Sequence, residues 1–168
     1  MAGSRRIYVT DANIWIDLHT GELINEGFRL PLWLVAPDVI IAELKRPEGQ
    51  ALVSLGLQKE ELSGKEVLQV AGLAARYPAP SRVDLFALVL AKVRGGVLLT
   101  GDAHLRKVAE KEKVPVHGTL WILDELVQKR IVTPRKAAQA LEKMRAKGSR
   151  LPRAECEQRL KRWRQSTD

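Results

Sequence analysis

From about residue 5 to about residue 130, short apolar runs alternate with segments of helical apolar spacing, and that alternation leaves few folds open. Arg6–Thr10 reads as a strand. Ala12–Leu18 reads as a helix, with Ile14 and Leu18 four apart and Asp11 at its start. Leu32–Ala36 reads as the second strand, and Pro37-Asp38 starts a helix to about Leu44 that Pro47-Glu48-Gly49 closes. Ala51–Leu57 is another strand candidate, weakened by Gly56. Ser63–Ala75 has helical spacing and ends at Tyr77-Pro78. Ser81 opens the most apolar helix, which carries Val83, Leu85, Phe86, Leu88, Val89 and Leu90 and stops at Gly95-Gly96. Val97–Thr100 and Val114–His117 read as strands, with a helix over Ala103–Lys113 between them and another from Thr119 to about Lys129. The pattern predicts a parallel sheet covered by helices on both faces, with ligands bound beyond the carboxyl ends of the strands.

Past residue 130 the alternation stops. Thr133-Pro134 starts a helix with Ala137, Ala140, Leu141 and Met144 in one stripe, and a last helix carries Leu160 and Trp163. We therefore expect a domain over residues 1–130 and a C-terminal helical extension over 131–168, an appended hairpin with an apolar stripe. Charge divides at nearly the same place. Residues 1–128 hold 15 Lys/Arg and 16 Asp/Glu, whereas 129–168 hold 13 and 4, so the net charge of +8 lies entirely in the last forty residues. A neutral body with a basic end suits a polyanionic partner, and a solvated helical face is the plainer account. No run approaches the roughly 20 apolar residues of a membrane span. No signal-peptide pattern is evident at Met1–Arg6, and the single Cys156 allows no internal disulfide. These features lead to the expectation of a cytoplasmic protein without a membrane segment.

Four acids occupy telling positions. Asp11 and Asp102 follow apolar runs, at the strand ends where this fold class binds ligands. Asp84 lies among Val83, Leu85 and Phe86, and Glu43 follows Ile40-Ile41-Ala42. Singly, each has a plain explanation. Asp11 and Asp102 could cap the helices after them, Ser81-Arg82-Val83-Asp84 fits a capping box, and Glu43 could be a surface residue beside Lys45. Capping accounts poorly for Glu43, and acids among residues destined for burial are costly unless paired or bound to a cation. Clustered carboxylates without thiols or paired histidines favour a hard ion, Mg²⁺ or Mn²⁺, and metal-assisted phosphodiester hydrolysis. His19, His104 and His117 lack ligand spacing.

The elements Val9-Thr10-Asp11-Ala12-Asn13, Ile40-Ile41-Ala42-Glu43-Leu44, Asp84 within Ser81–Leu90 and Leu99-Thr100-Gly101-Asp102 resemble, in order and spacing, those of PIN-domain ribonucleases. Size and layout are most similar to the VapC-like toxins of toxin–antitoxin pairs, and Gly118-Thr119 resembles a turn seen in one branch of that family. The resemblance implies a three-layer α/β/α sandwich around a parallel sheet of four or five strands. It also implies a divalent-metal-dependent endoribonuclease, the toxin of a type II pair, with Mg²⁺ or Mn²⁺ as cofactor. RNA would be the substrate, a small antitoxin protein and a second copy in a homodimer the partners. Asp11, Glu43, Asp84 and Asp102 match the acidic quartet, Asn13 matches a polar position near the first acid and Thr100 the hydroxyl residue before the last, and both could position metal-bound waters. Arg82, His104, Arg106 and Lys107, close to these motifs in sequence, are candidates for RNA binding.

Other readings use the same first strand. A haloacid-dehalogenase-like phosphatase wants a second Asp where Asn13 stands, and a response-regulator receiver wants an acidic pair that Tyr8-Val9-Thr10-Asp11 lacks. A non-catalytic RNA- or protein-binding PIN-like domain, or an RNA-processing nuclease that is not a toxin, remains the alternative.

Overall fold

The computed structural model describes residues 5–166. Residues 1–4, part of the segment read for a signal peptide, and residues 167–168 lie outside the described residues. Five strands form one wholly parallel sheet: β1 (Ile7–Thr10), β2 (Trp33–Pro37), β3 (Gln58–Glu60), β4 (Val97–Leu99) and β5 (Val116–His117). Their order is β3-β2-β1-β4-β5, so the chain starts in the middle and winds outward in both directions. The reversal falls between β1 and β4, where Thr10 is in register with Leu99 and the Asp11 amide donates to the Leu99 carbonyl at 3.1 Å. The crossovers leaving these two strands diverge there, opening a crevice at their carboxyl ends.

Among the described residues ten helices accompany the sheet: α1 (Ala12–Thr20), α2 (Ile24–Phe28), α3 (Asp38–Glu43), α4 (Gly49–Leu55), α5 (Gly64–Arg76), α6 (Arg82–Val93), α7 (Ala103–Lys111), α8 (Thr119–Gln128), α9 (Pro134–Ala146) and α10 (Arg153–Arg164). One layer centres on α6, which packs on β1, β2 and β4 and against α3, α5 and α7. Its run Ala87–Ala91 is fully buried, as its apolar sequence requires. The opposite layer joins α1, α2, α8 and α9. On that face Trp15 stacks on Phe28 with centroids 5.0 Å apart and donates its indole N–H to Thr10 Oγ1 at 2.8 Å. Thr10 in turn donates to the Val35 carbonyl at 3.3 Å, so these buried polar groups are satisfied.

The three-layer sandwich expected from the alternation is therefore present, with five strands. One element differs. The strand expected over Ala51–Leu57 is helix α4, and the strand of that region is Gln58–Glu60, which is polar. A short apolar run does not distinguish a buried helix turn from a strand. β3 lies at the sheet edge, pairs on one side only and carries little apolar burial. At the start of α4 Gly49 leaves no room for a side chain, since a Cβ there would lie 1.9 Å from the Ile41 carbonyl oxygen. Helix α2, five residues long, has no periodicity long enough to read from the sequence. The C-terminal helices share the main core. Ala137, Ala140, Leu141 and Met144 of α9 face α1 and α8, and Cys156, Leu160 and Trp163 of α10 are buried against α9. Among the described residues no helix is long and apolar enough to cross a membrane.

Candidate active site

Asp11 is fully buried at the start of α1, as its N-cap. Its Oδ1 accepts the Ile14 amide at 3.0 Å, and its Oδ2 accepts a hydrogen bond from the Thr100 hydroxyl. That same hydroxyl oxygen accepts the Asp102 amide at 3.0 Å. Thr100 thus stitches the end of β1 to the turn after β4. Asp102 caps α7 by accepting the Leu105 amide at 2.9 Å through Oδ1. Asp84 lies in the first turn of α6, where its amide is held by Ser81 Oγ at 3.1 Å. The caps weighed for Asp11 and Asp102 are real, and so is the Ser81 half of the α6 capping pattern. Asp102 caps through Oδ1 alone, whereas both oxygens of Asp11 accept hydrogen bonds.

The acids feel one another. Burial pushes the Asp11 carboxyl up from 3.8 to about 7, against the pull of Thr100 and Ile14, and the charges of Asp84 and Asp102 push it further. Burial also raises Asp84, against the hydrogen bond with Ser81, and Asp102 and Glu43 add to the rise. Glu43, at the end of α3, is exposed and couples to the group through Asp84. Among the described residues none of the four acids forms an ion pair. No three acidic, histidine or cysteine side chains among them stand as a ready-made ligand set. The donor chemistry nonetheless suits a hard divalent ion: carboxylate oxygens without an ion-pair partner among the described residues, whose charges push up the proton affinity of Asp11 and Asp84.

Asn13, in the first turn of α1, packs near Gly101, where an added Cβ would meet its Cβ at 3.3 Å. Arg82, His104 and Lys107 are exposed on the first turns of α6 and α7, and Arg106 is half-buried. Sequence reading passed over a second buried acid, Asp17. It accepts from Thr119 Oγ1 and from Ser149 Oγ, each at 2.7 Å. Burial raises its carboxyl while these two hydroxyls lower it. An acid inside the apolar run Ile14-Trp15-Ile16-Asp17-Leu18 is the signal that could have marked it.

No curated protein sequence matches the chain. A family model described as the PIN domain matches residues 7–165, nearly its whole length and both C-terminal helices. With this match over most of its length and a parallel five-stranded sheet, the chain belongs to the PIN-domain family, a family of nucleases.

Proposed function

We propose that the protein is a divalent-metal-dependent endoribonuclease and the toxin of a type II toxin–antitoxin pair. The observation that carries the catalytic reading is Asp11, a carboxyl buried at the strand crossover, opposed by Asp84 and Asp102 and by no internal cation. Asp11, Asp84 and Asp102 would hold Mg²⁺ or Mn²⁺, and Glu43 would hold a second ion or orient a water. When bound, the ion supplies positive charge that offsets the charge growing on the oxygens of the reacting phosphodiester.

The remaining work falls to the chain. Thr100 fixes the orientation of the Asp11 carboxylate by donating to Oδ2 while the Ile14 amide holds Oδ1. Ser81 accepts the Asp84 amide and Asp102 accepts the Leu105 amide, so both acids are fixed at helix starts. Asn13 positions water beside Asp11. Arg82, His104, Arg106 and Lys107 offset phosphate charge around an otherwise repelling centre. In this reading residues 1–130 carry the chemistry, and 131–168 form a basic extension that helps to hold RNA. A small antitoxin would block the crevice, and the protein would work as a homodimer.

The test is cleavage of a cellular RNA pool by purified, partner-free protein with Mn²⁺ or Mg²⁺, with EDTA, and with Asp11→Asn. Cutting that needs the metal and is lost in the variant supports the nuclease. A folded protein that cuts nothing yet binds RNA favours a non-catalytic role. A nuclease whose expression leaves growth unaffected, with no neutralising partner, is a processing enzyme and not a toxin.

A further inference from the structure

A cavity of about 280 Å³ opens directly beside the acidic crevice and shares Thr100 and Asp102 with it. Its floor is the start of α8, and its outer wall is the α9–α10 linker at Arg150, Leu151 and Pro152. Residues about fifty positions apart therefore build one concave site. The linker is anchored there. Ser149 donates to the buried Asp17, which also holds Thr119 at the floor. Arg159 clamps α10 onto α8 through Asp124, with contacts of 3.0 Å and 2.7 Å from two guanidinium nitrogens.

Two guanidiniums reach this cavity uncommitted. Among the described residues neither Arg106 nor Arg150 has a side-chain hydrogen bond or an ion pair. Arg106 is half-buried and lies over Gly118, where a Cβ would stand 2.8 Å from its Nη2. Glycine at this position leaves space for the guanidinium against the α8 start. Glu155, exposed on the first turn of α10, is the acid on the rim, while Arg159 is neutralised by Asp124. The apolar part of the wall comes from Leu120, Trp121 and Leu151, with Trp121 backed by His117 at a centroid distance of 4.3 Å.

We propose that this cavity seats one nucleotide flanking the cleaved bond of a single-stranded RNA, its phosphate held by Arg106 and Arg150. The proposal rests on the nuclease reading of the neighbouring crevice. Arginine offers a planar fork matched to phosphate oxygens, and paired forks give a phosphate more than a diffuse field would. The volume lies just below the usual range for small-ligand pockets, roughly 300–1,000 Å³, so it has room for one nucleotide unit. A strand still paired to its complement cannot bend into such a recess, and this makes the site selective for unpaired RNA. The C-terminal helices become part of substrate recognition, through their anchored linker as well as through their charge.

The experiment measures binding of a labelled single-stranded oligoribonucleotide in EDTA across a salt series, then cleavage of the same strand with Mn²⁺. Arg106→Gln with Arg150→Gln is expected to weaken binding about tenfold and to flatten the salt slope by about 1. The pair Lys59→Gln with Lys65→Gln, exposed at and beyond the opposite sheet edge, is expected to change binding less than about twofold. Gly118→Ala, which displaces Arg106 without altering charge, is expected to weaken binding as well. In cleavage the arginine pair is expected to raise KM about tenfold with kcat within about twofold. Annealing the complement is expected to abolish the difference between the arginine pair and the parent protein. Binding unchanged by the arginine pair, binding lost equally in the lysine pair, or a fall in kcat at constant KM would each overturn the proposal. If the parent protein cuts nothing while the arginine effect on binding holds, the nucleotide seat stands and the nuclease reading falls.

Discussion

Asp11 and Asp17 are buried acids on or capping one helix, yet they meet opposite surroundings. Asp17 has a hydroxyl donor on each oxygen, Thr119 on one and Ser149 on the other, and no acidic neighbour contributes to its shift. Asp11 also accepts two hydrogen bonds, but Asp84 and Asp102 bear on it and push its proton affinity up. Burial alone therefore does not mark a reactive carboxylate. The distinction lies in whether neighbours complete the charge or oppose it. Asp17 is a satisfied structural joint between α1, α8 and the α9–α10 linker, whereas Asp11 is flanked by acids that oppose its charge.

The largest break between the two should come from activity. Asp11→Asn keeps a good N-cap and the shape of the side chain, so the fold survives. RNA cleavage should drop by more than about a hundredfold, since even groups behind a metal ligand cost about 10–100-fold when removed. Asp17→Asn should leave kcat within a few-fold. Single-turnover cleavage of one RNA by the three proteins checks this, and equal losses would erase the comparison.

Next in size is the pH response of the metal-free protein. In the unfolded chain Asp11 titrates near its ordinary 3.8, and in the folded protein near 7. Between those values the folded state holds a proton that the unfolded state has released, so this contribution to stability is present at acid pH and lost as pH rises toward 7. Asp11→Asn removes that loss. Its stability gain over the parent, measured by urea unfolding in EDTA, should be near zero at about pH 4 and grow to an upper bound of about 4 kcal/mol above pH 7. Saturating Mn²⁺ should stabilise the parent by about 2.7 kcal/mol at one hundred times Kd, and leave the variant nearly unmoved. A gain independent of pH would mean that Asp11 is not held protonated by its surroundings.

Much of this architecture was legible in the sequence because it is written locally. The apolar runs before Asp11 and Asp102 are strands and the Ser81 helix is buried, whereas the strand order β3-β2-β1-β4-β5 is set by packing. Residues 51–57 misled because so short a run shows no clear period, and only the folded chain shows that most of it is helix α4. The Asp17 joint was invisible for a similar reason. Its donors lie 102 and 132 residues away, and nothing in the local pattern of Thr119 or Ser149 announces a shared partner. Arg150 was hidden in a basic stretch until the linker was placed against α8. Local periodicity names the buried face of an element, and only the packed chain says what that face meets.

The smallest effects belong to the Asp17 joint itself, and they show how it differs from the crevice. Asp17→Ala leaves two hydroxyls without their acceptor in a mostly buried place and should cost about 1–3 kcal/mol in urea unfolding. Ser149→Ala removes one of the two bonds and should cost about 0.5–1.5 kcal/mol. Neither loss should depend on Mn²⁺, because no metal-holding group is touched. The Ser149 variant should have a second consequence that stability does not report. Freed from Asp17, the linker carrying Arg150 has no side-chain bond among those described to fix it across the cavity from Arg106. KM for single-stranded RNA should then rise a few-fold while kcat holds. An unchanged KM in a destabilised Ser149→Ala protein would assign the joint to folding alone and separate it from the substrate.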